Sequence, residues 1–291
     1  TGQSNYYLKF GVVYLSVVEF SPLFTPPIKL LKRRTNGDRM KRPTSLSWLE
    51  MNWERPFEFK TVCDMVVHLS GLTGRKPFVW EVRITTNCIK FLLGFDLTDE
   101  NKLKKLFSAH NNVQFSKPQN RRSKIVIASR IKIHQQHFSL KLDNIENMIR
   151  SFLAIHSTLK KDEEITLQLV IGKSRAPSPI PKHLPNLNSS WFQRLTSNIP
   201  PLSPESQKLM KEKLHYANFQ TVIRLGIRTP EKARQITLHN QAMASLRIIE
   251  SNGASFRFQK INPKEIDDVE MPWSPQTHLS AIELASLLML P

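Results

Sequence analysis

The chain has 291 residues, 40% hydrophobic and 23% charged, a globular composition long enough for one large or two ordinary domains and for a core that needs neither disulfides nor metals. Forty-two Lys plus Arg against 24 Asp plus Glu leave a formal charge of +18, the footprint of a protein that meets polyanions such as DNA, RNA or an anionic membrane surface. Nine Gly against 19 Pro argue against a site that cradles nucleotide phosphates on glycine loops, and two cysteines, Cys63 and Cys88, cannot build a disulfide framework or a zinc site alone.

Residues 1–44 read as a basic N-terminal arm. Its apolar stretch from Phe10 to Val18 is bounded by Lys9 and Glu19, well short of the roughly 20 apolar residues a spanning helix requires. Lys29, Lys32, Arg33, Arg34, Arg39, Lys41 and Arg42 face a lone Asp38, and Asn36, Gly37 and Pro43 break any helix there. The first α+β domain is expected over 45–173. Val62, Met65, Val66 and Leu69 fall at helical spacing before Gly71, Phe78 to Thr85 and Cys88 to Phe95 read as a hairpin, and Thr98 caps a helix running to His110 with Leu103, Leu106 and Phe107 on its apolar side. Ile125, Ile127, Ile131 and Ile133 alternate with Lys124, Arg130 and Lys132, the pattern of a strand with one buried and one wet, basic face. A helix from Asp143 to Leu159 and a strand through Ile165, Leu167, Leu169 and Ile171 follow.

Seven prolines between Ser174 and Pro204 mark 174–203 as a linker and as the boundary between domains. The second α+β domain, 204–262, opens with Ser203 and Pro204 as a helix start. It continues with a strand carrying Phe219, Ile223, Leu225 and Ile227 on one face and Arg224 and Arg228 on the other, a helix from Thr229 to Ile248, and a strand at Phe256 and Phe258. Residues 263–291 form a C-terminal segment. Repeated strand-helix-strand units with short connections predict an α+β fold of two ferredoxin-like sandwich domains.

Chemistry is scarce. Gly172-Lys173-Ser174 follows a strand, yet Leu167 stands where a phosphate loop needs its first glycine, and Arg175-Ala176-Pro177 cannot open a helix. The pairs His134 with His137 and His110 with His156 have no carboxylate or cysteine at ligand spacing beside them, and the acidic runs Asp162 to Glu164 and Asp267-Asp268 read as solvated charge. The chain is therefore expected to be no enzyme and to hold no cofactor or metal. The positive signal is basic: Lys124, Arg130, Lys132, Arg224 and Arg228 on strand faces, extended by Arg257 and Lys260, together with Lys32, Arg33 and Arg34 of the arm, are the candidate contacts to a phosphate backbone. Aromatic residues hardly interleave with them, which disfavours base stacking.

Several stretches resemble one protein family: Trp80-Glu81-Val82-Arg83, Ile89 to Gly94, Leu169 to Gly172 running into the prolines, Val222 to Arg228, Phe256-Arg257-Phe258, and the closing His278 to Pro291 with Ser280, Glu283-Leu284-Ala285 and Leu290-Pro291. They are similar to the region ahead of the motor in the conjugative DNA-transfer ATPases of Gram-positive bacteria, the coupling-protein branch of type IV secretion. The resemblance covers roughly residues 45–291 and carries over no Walker residue. It implies a non-catalytic assembly and substrate-engaging region of a hexameric DNA pump, cytoplasmic and membrane-associated in the full-length protein. The motor would be expected beyond Pro291. Its partners would be DNA or a nucleoprotein substrate, other subunits of the secretion machine, and an anionic membrane surface. A stand-alone protein that binds nucleic acid without reading sequence is the alternative. Calorimetry with ATP is expected to register no saturable binding; a saturable isotherm that disappears in Lys173→Ala would contradict the reading of Gly172-Lys173-Ser174 as strand.

Overall fold

The computed structural model describes residues 46–53, 56–72, 74–118, 122–180, 184, 186, 202–271 and 277–291. The basic arm, with Lys32, Arg33 and Arg34, lies outside them. Among the described residues nine strands form one antiparallel sheet: β1 (Ser47–Trp53), β2 (Phe78–Thr85), β3 (Ile89–Phe95), β4 (Val113–Ser116), β5 (Ile127–His134), β6 (Glu164–Arg175), β7 (Asn218–Arg228), β8 (Ser255–Ile261) and β9 (Thr277–Ser280). The order across the sheet is β4-β1-β3-β2-β6-β7-β5-β8, with β9 added beside β7.

That order contains the same topology twice. Helices α1 (Phe59–Gly71) and α2 (Glu100–His110) complete β1-α1-β2-β3-α2-β4 with spatial order 4-1-3-2. Helices α3 (Ile145–Leu153) and α5 (Lys232–Arg247) complete β5-α3-β6-β7-α5-β8, whose order read from β8 inward is again fourth, first, third, second. Both repeats have the ferredoxin-like order, and the α+β expectation holds. The two second strands lie side by side, so that all eight residues of β2 from Phe78 to Thr85 pair with Ile171 to Glu164 of β6. Two four-stranded sheets thereby merge into one.

The boundary differs from the expectation that the proline-rich stretch separates domains. Residues 127–175 belong with 218–261, because β5 pairs with both β7 and β8, and β6 pairs with β7 from Glu164 and Arg228 to Arg175 and Asn218. The prolines thus sit inside the second repeat, in an excursion between two neighbouring strands, and the repeats meet between β4 and β5. Proline content marks where ladder hydrogen bonds stop, which a long insertion does as readily as a domain boundary. Helix α4 (Pro204–His215) closes the excursion; its cap is Ser203, whose hydroxyl accepts from the Ser206 amide at 3.2 Å. Gly172-Lys173-Ser174 is strand backbone at an irregularity of the β6–β7 ladder between Ile171 and Ser174.

Helices cover one face of the sheet. Val62, Met65, Val66 and Leu69 of α1, Leu103, Leu106 and Phe107 of α2, Met148, Ile149 and Phe152 of α3, and Leu238, Ala242 and Leu246 of α5 meet the inward-facing side chains of β2, β6 and β7 in one continuous core. Nothing in the sequence pattern predicts a strand at β1, where Leu49 and Met51 are buried, Asn52 is exposed and the other four residues are half-buried. On this same helix-covered side, α7 (Ala281–Leu287) lies against α1, adds Ala281, Leu284, Ala285 and Leu287 to the core, and is capped by Ser280 and Glu283, each accepting the other's backbone amide. Glu283 also takes the Leu140 amide at 3.0 Å and ion-pairs with the buried Lys213 of α4. Trp80 of β2, stacked on Phe107, donates to the Leu288 carbonyl at 2.9 Å, and the Phe57 amide donates to that of Pro291 at 2.6 Å. Among the described residues no helix is long and apolar enough to cross a membrane.

With a specific protease site introduced within residues 181–201 and cleaved under native conditions, the two fragments are expected to co-elute as a single particle in size-exclusion chromatography, held by the β6–β7 ladder. Separation without denaturant would show that the prolines do divide two domains.

Candidate functional site

The second face of the sheet carries the charge. Period-two alternation on β2, β6, β7 and β5 puts Glu81, Gln168, Arg224 and Arg130 in one row across four strands, as the registers Glu81–Gln168, Gln168–Arg224 and Arg224–Arg130 require. Arg83 and Thr166 form the adjacent row. An open sheet would leave such residues wet. Here two segments lie over them: residues 122–125, which lead into β5, and residues 262–271, which include the short helix α6 (Lys264–Asp267).

Small apolar clusters seat these segments. Ile266 packs on Ile125 and Ala128, and Val269 joins Val79, Val170 and Val222. Val269 holds φ at 52°, a left-handed backbone that a β-branched residue seldom adopts and that must be held by its surroundings. Gly226 leaves room beneath: a Cβ there would stand 3.0 Å from both Ile125 and Ile266 side-chain atoms.

Polar contacts complete the attachment. Glu81, fully buried, accepts from Arg83 Nε at 2.9 Å, from Arg122 Nε at 3.0 Å and Nη2 at 2.5 Å, and from Gln168 Nε2 at 2.7 Å. Arg122 stacks over Trp48 at 4.2 Å and donates to the Ile266 and Asp267 carbonyls at 3.0 and 2.8 Å, so a single side chain ties Glu81 to the 262–271 segment. Arg83 reaches Glu164 at 2.6 Å and Ser123 Oγ at 3.0 Å. Arg224 donates to Gln168 at 2.7 Å and to the Glu270 carbonyl, and Arg130 pairs with Glu265 at 2.5 Å. Arg83 Nη2 and Arg224 Nε have no acceptor among the described residues, which trims what the cluster contributes.

The electrostatics follow from burial. Desolvation opposes ionisation of Glu81, yet the Arg83 and Arg122 guanidiniums outweigh it and hold the carboxyl below its ordinary 4.5. Burial pushes the Arg224 guanidinium down to about 10, against the pull of Glu265.

The expectation of a continuous wet basic face is therefore corrected. Arg224 is fully buried, and Arg130 is half-buried and engaged by Glu265, because β7 and β5 lie inside the sheet and the 262–271 segment covers them. Lys124 is exposed, Lys132 and Arg228 are half-buried, and none of the three forms an ion pair among the described residues. Arg257 and Lys260 of β8 are also exposed, and Lys132 and Arg257 are register partners. The sequence reading missed Glu81, Arg83, Arg122, Glu164 and Gln168. Their signal was opposite charges two residues apart within otherwise apolar strands, as in Glu81 and Arg83, which fits a covered face better than a wet one. Among the described residues no three His, Cys, Asp or Glu side chains are grouped to hold a metal ion. No protein-family model matches the chain, and no curated protein matches it either.

Replacing Glu81 by Ala leaves the half-buried Arg122 without a carboxylate and the buried Arg83 with Glu164 alone, and is expected to remove about 3–5 kcal/mol in urea unfolding. Because the folded carboxyl titrates below 4.5, its stabilisation is complete above that pH and lost as pH falls through the lower folded value. Glu81→Ala should therefore also flatten the acid limb of the stability profile. A loss under 1 kcal/mol would mean that the covering segments hold without this cluster.

Proposed function

We propose that this chain is a non-catalytic assembly and DNA-engaging region of a conjugative DNA-transfer ATPase of the type IV secretion coupling-protein family, membrane-associated in its full-length form. The observation that carries the reading is the seating of the stretch from Ser280 to Pro291. Ser280, Glu283-Leu284-Ala285 and Leu290-Pro291 make up the phrase by which the family leads into its motor, and here Ser280, Glu283 to Ala285 and Leu290 are buried. Glu283 joins α7 to α4 and to Leu140, and Trp80 and Phe57 fix the backbone at Leu288 and Pro291. A segment that transmits force between a motor and a substrate-handling body needs such anchorage to a rigid element rather than a free tether.

The charge of +18 supports DNA as the partner. Contact falls to cations that remain at the surface: Lys124, Lys132 and Arg228, with Lys32, Arg33 and Arg34 contributed by the arm. Arg224 and Arg130 take a structural part on the same strands. With bases neither stacked nor read, binding is set by phosphate charge and counterion release.

Fluorescence anisotropy of the full chain with two unrelated duplexes across a salt series tests this. The triple reversal Lys124→Glu, Lys132→Glu, Arg228→Glu is expected to weaken both duplexes equally and to flatten the slope of log affinity against log salt by about 2.7, at roughly 0.9 per lost contact. The fold should survive, since these side chains make no ion pair among the described residues. Arg224→Glu should instead lose the fold. Unchanged affinity and slope in the triple variant would contradict the assignment.

A further inference from the structure

The nine-stranded sheet ends at β4 on one side and β8 on the other. An edge strand offers unpaired N–H and C=O groups, and proteins blunt such edges by shortness, charge or cover. β4 is short, four residues. β8 is seven residues long and, among the described residues, pairs with β5 alone.

The direction of its free groups follows from one contact. The Phe256 amide donates to the Glu250 carboxylate at 2.6 Å, so it points away from β5. Alternation along an antiparallel strand then turns the amides of Phe258 and Lys260 the same way, toward the side where the sheet has no further strand among the described residues.

The two sides of this edge differ chemically. Toward the helices, Phe258 is half-buried and lies under α5, with His239 at 5.9 Å ring to ring and the Arg247 guanidinium 5.8 Å from its centroid. The α5 stripe that carries these two residues continues through Met243 to Ile236, which at 65% is the most exposed of the large hydrophobic residues described. Toward the other face, Arg257 stands exposed beside its register partner Lys132. A strand added along β8 would set alternate side chains against Phe258 and the Ile236–Met243 stripe, and the intervening ones against Arg257, with Lys132 one strand further in.

We propose that the β8 edge is a docking site for an extended segment of a partner protein in which apolar and acidic residues alternate, bound by strand addition. Backbone hydrogen bonds from Phe258 and Lys260 supply affinity, and the apolar and cationic sides of the edge select the pattern. The site shares Lys132 with the proposed DNA contacts, but its backbone edge and apolar side do not depend on them, and it stands whether or not the chain binds DNA.

The test uses the full chain and a fluorescein-labelled peptide, Glu-Val-Glu-Val-Glu-Val-Glu, beside a control of identical composition with its glutamates and valines in two blocks. Saturable binding of the alternating peptide, at least fivefold weaker for the control, is expected, together with slowed hydrogen exchange at Phe258 and Lys260. Ile236→Asp, at an exposed position that spares the fold, should weaken binding at least fivefold. Lys260→Pro, which removes the edge amide, should weaken it more than Lys260→Ala, with circular dichroism verifying that each variant remains folded. Equal binding of the two peptides, or indifference to both Ile236→Asp and Lys260→Pro, would overturn the proposal. So would concentration-dependent self-association that protects the same amides, which would make the occupant a second copy, or protection of them by duplex DNA alone.

Discussion

The carboxylate of Glu81 is the interaction on which the rest of the sheet depends. It sits on a strand of the first repeat, receives Gln168 from the second, and takes Arg122 from the link between them. Arg122 in turn holds the carbonyls of Ile266 and Asp267. One buried anion thus binds together the two ferredoxin-like repeats and the segment that covers their shared face. A buried ion pair is a poor source of net stability when weighed against a well-packed apolar alternative, but it is strict about geometry, since loss of one partner leaves the others charged and dry. Here that strictness fixes which segment lies over the sheet and in what register.

Covering the second face changes what the fold can do. A ferredoxin-like sheet that leaves this face open can stack bases on it. In this chain Ile266 and Val269 fill the middle of the face and Arg224 is spent on Gln168 and Glu270. Cations remain at the margins, where Lys124, Lys132 and Arg228 are at least partly exposed, and the proposed contact to DNA would fall to them. Such scattered cations suit attraction to a phosphate backbone passing over the surface and give no means of reading its sequence. The protein surface is thereby divided between charge at the margins of the covered face, a strand edge at β8, and an anchored closing segment at α7.

Much of the fold was legible in the residues because local signals were strong there. Strand β2 was predicted over its full extent, and α1, α2, α3, α5, β6 and β7 to within a few residues of one or both ends, by helical spacing, strand alternation and caps. β1 escaped because Ser47 to Trp53 alternates weakly and its partners, β3 and β4, lie far along the chain. The location of the repeat boundary escaped for a related reason: nothing local to the prolines says that β6 and β7 pair across them. The candidate site was half legible. Arg130 and Arg224 were seen as basic residues on strand faces, which is correct, but whether such a face is wet depends on residues 262–271, more than thirty positions beyond Arg224. Pairing between Glu81 and Arg83 within one strand was the available clue that the charges on this face answer one another rather than a ligand.

Native-state hydrogen exchange at increasing denaturant examines the union of the two repeats most directly, because it reports whether parts of a protein open separately. Amides of β1, β2 and β3 should exchange through the same global unfolding as those of β5, β6 and β7, with one free energy and one denaturant dependence. Exchange of β1–β4 through a smaller opening that leaves β5–β8 protected would show two independent halves and would contradict the part assigned to Glu81.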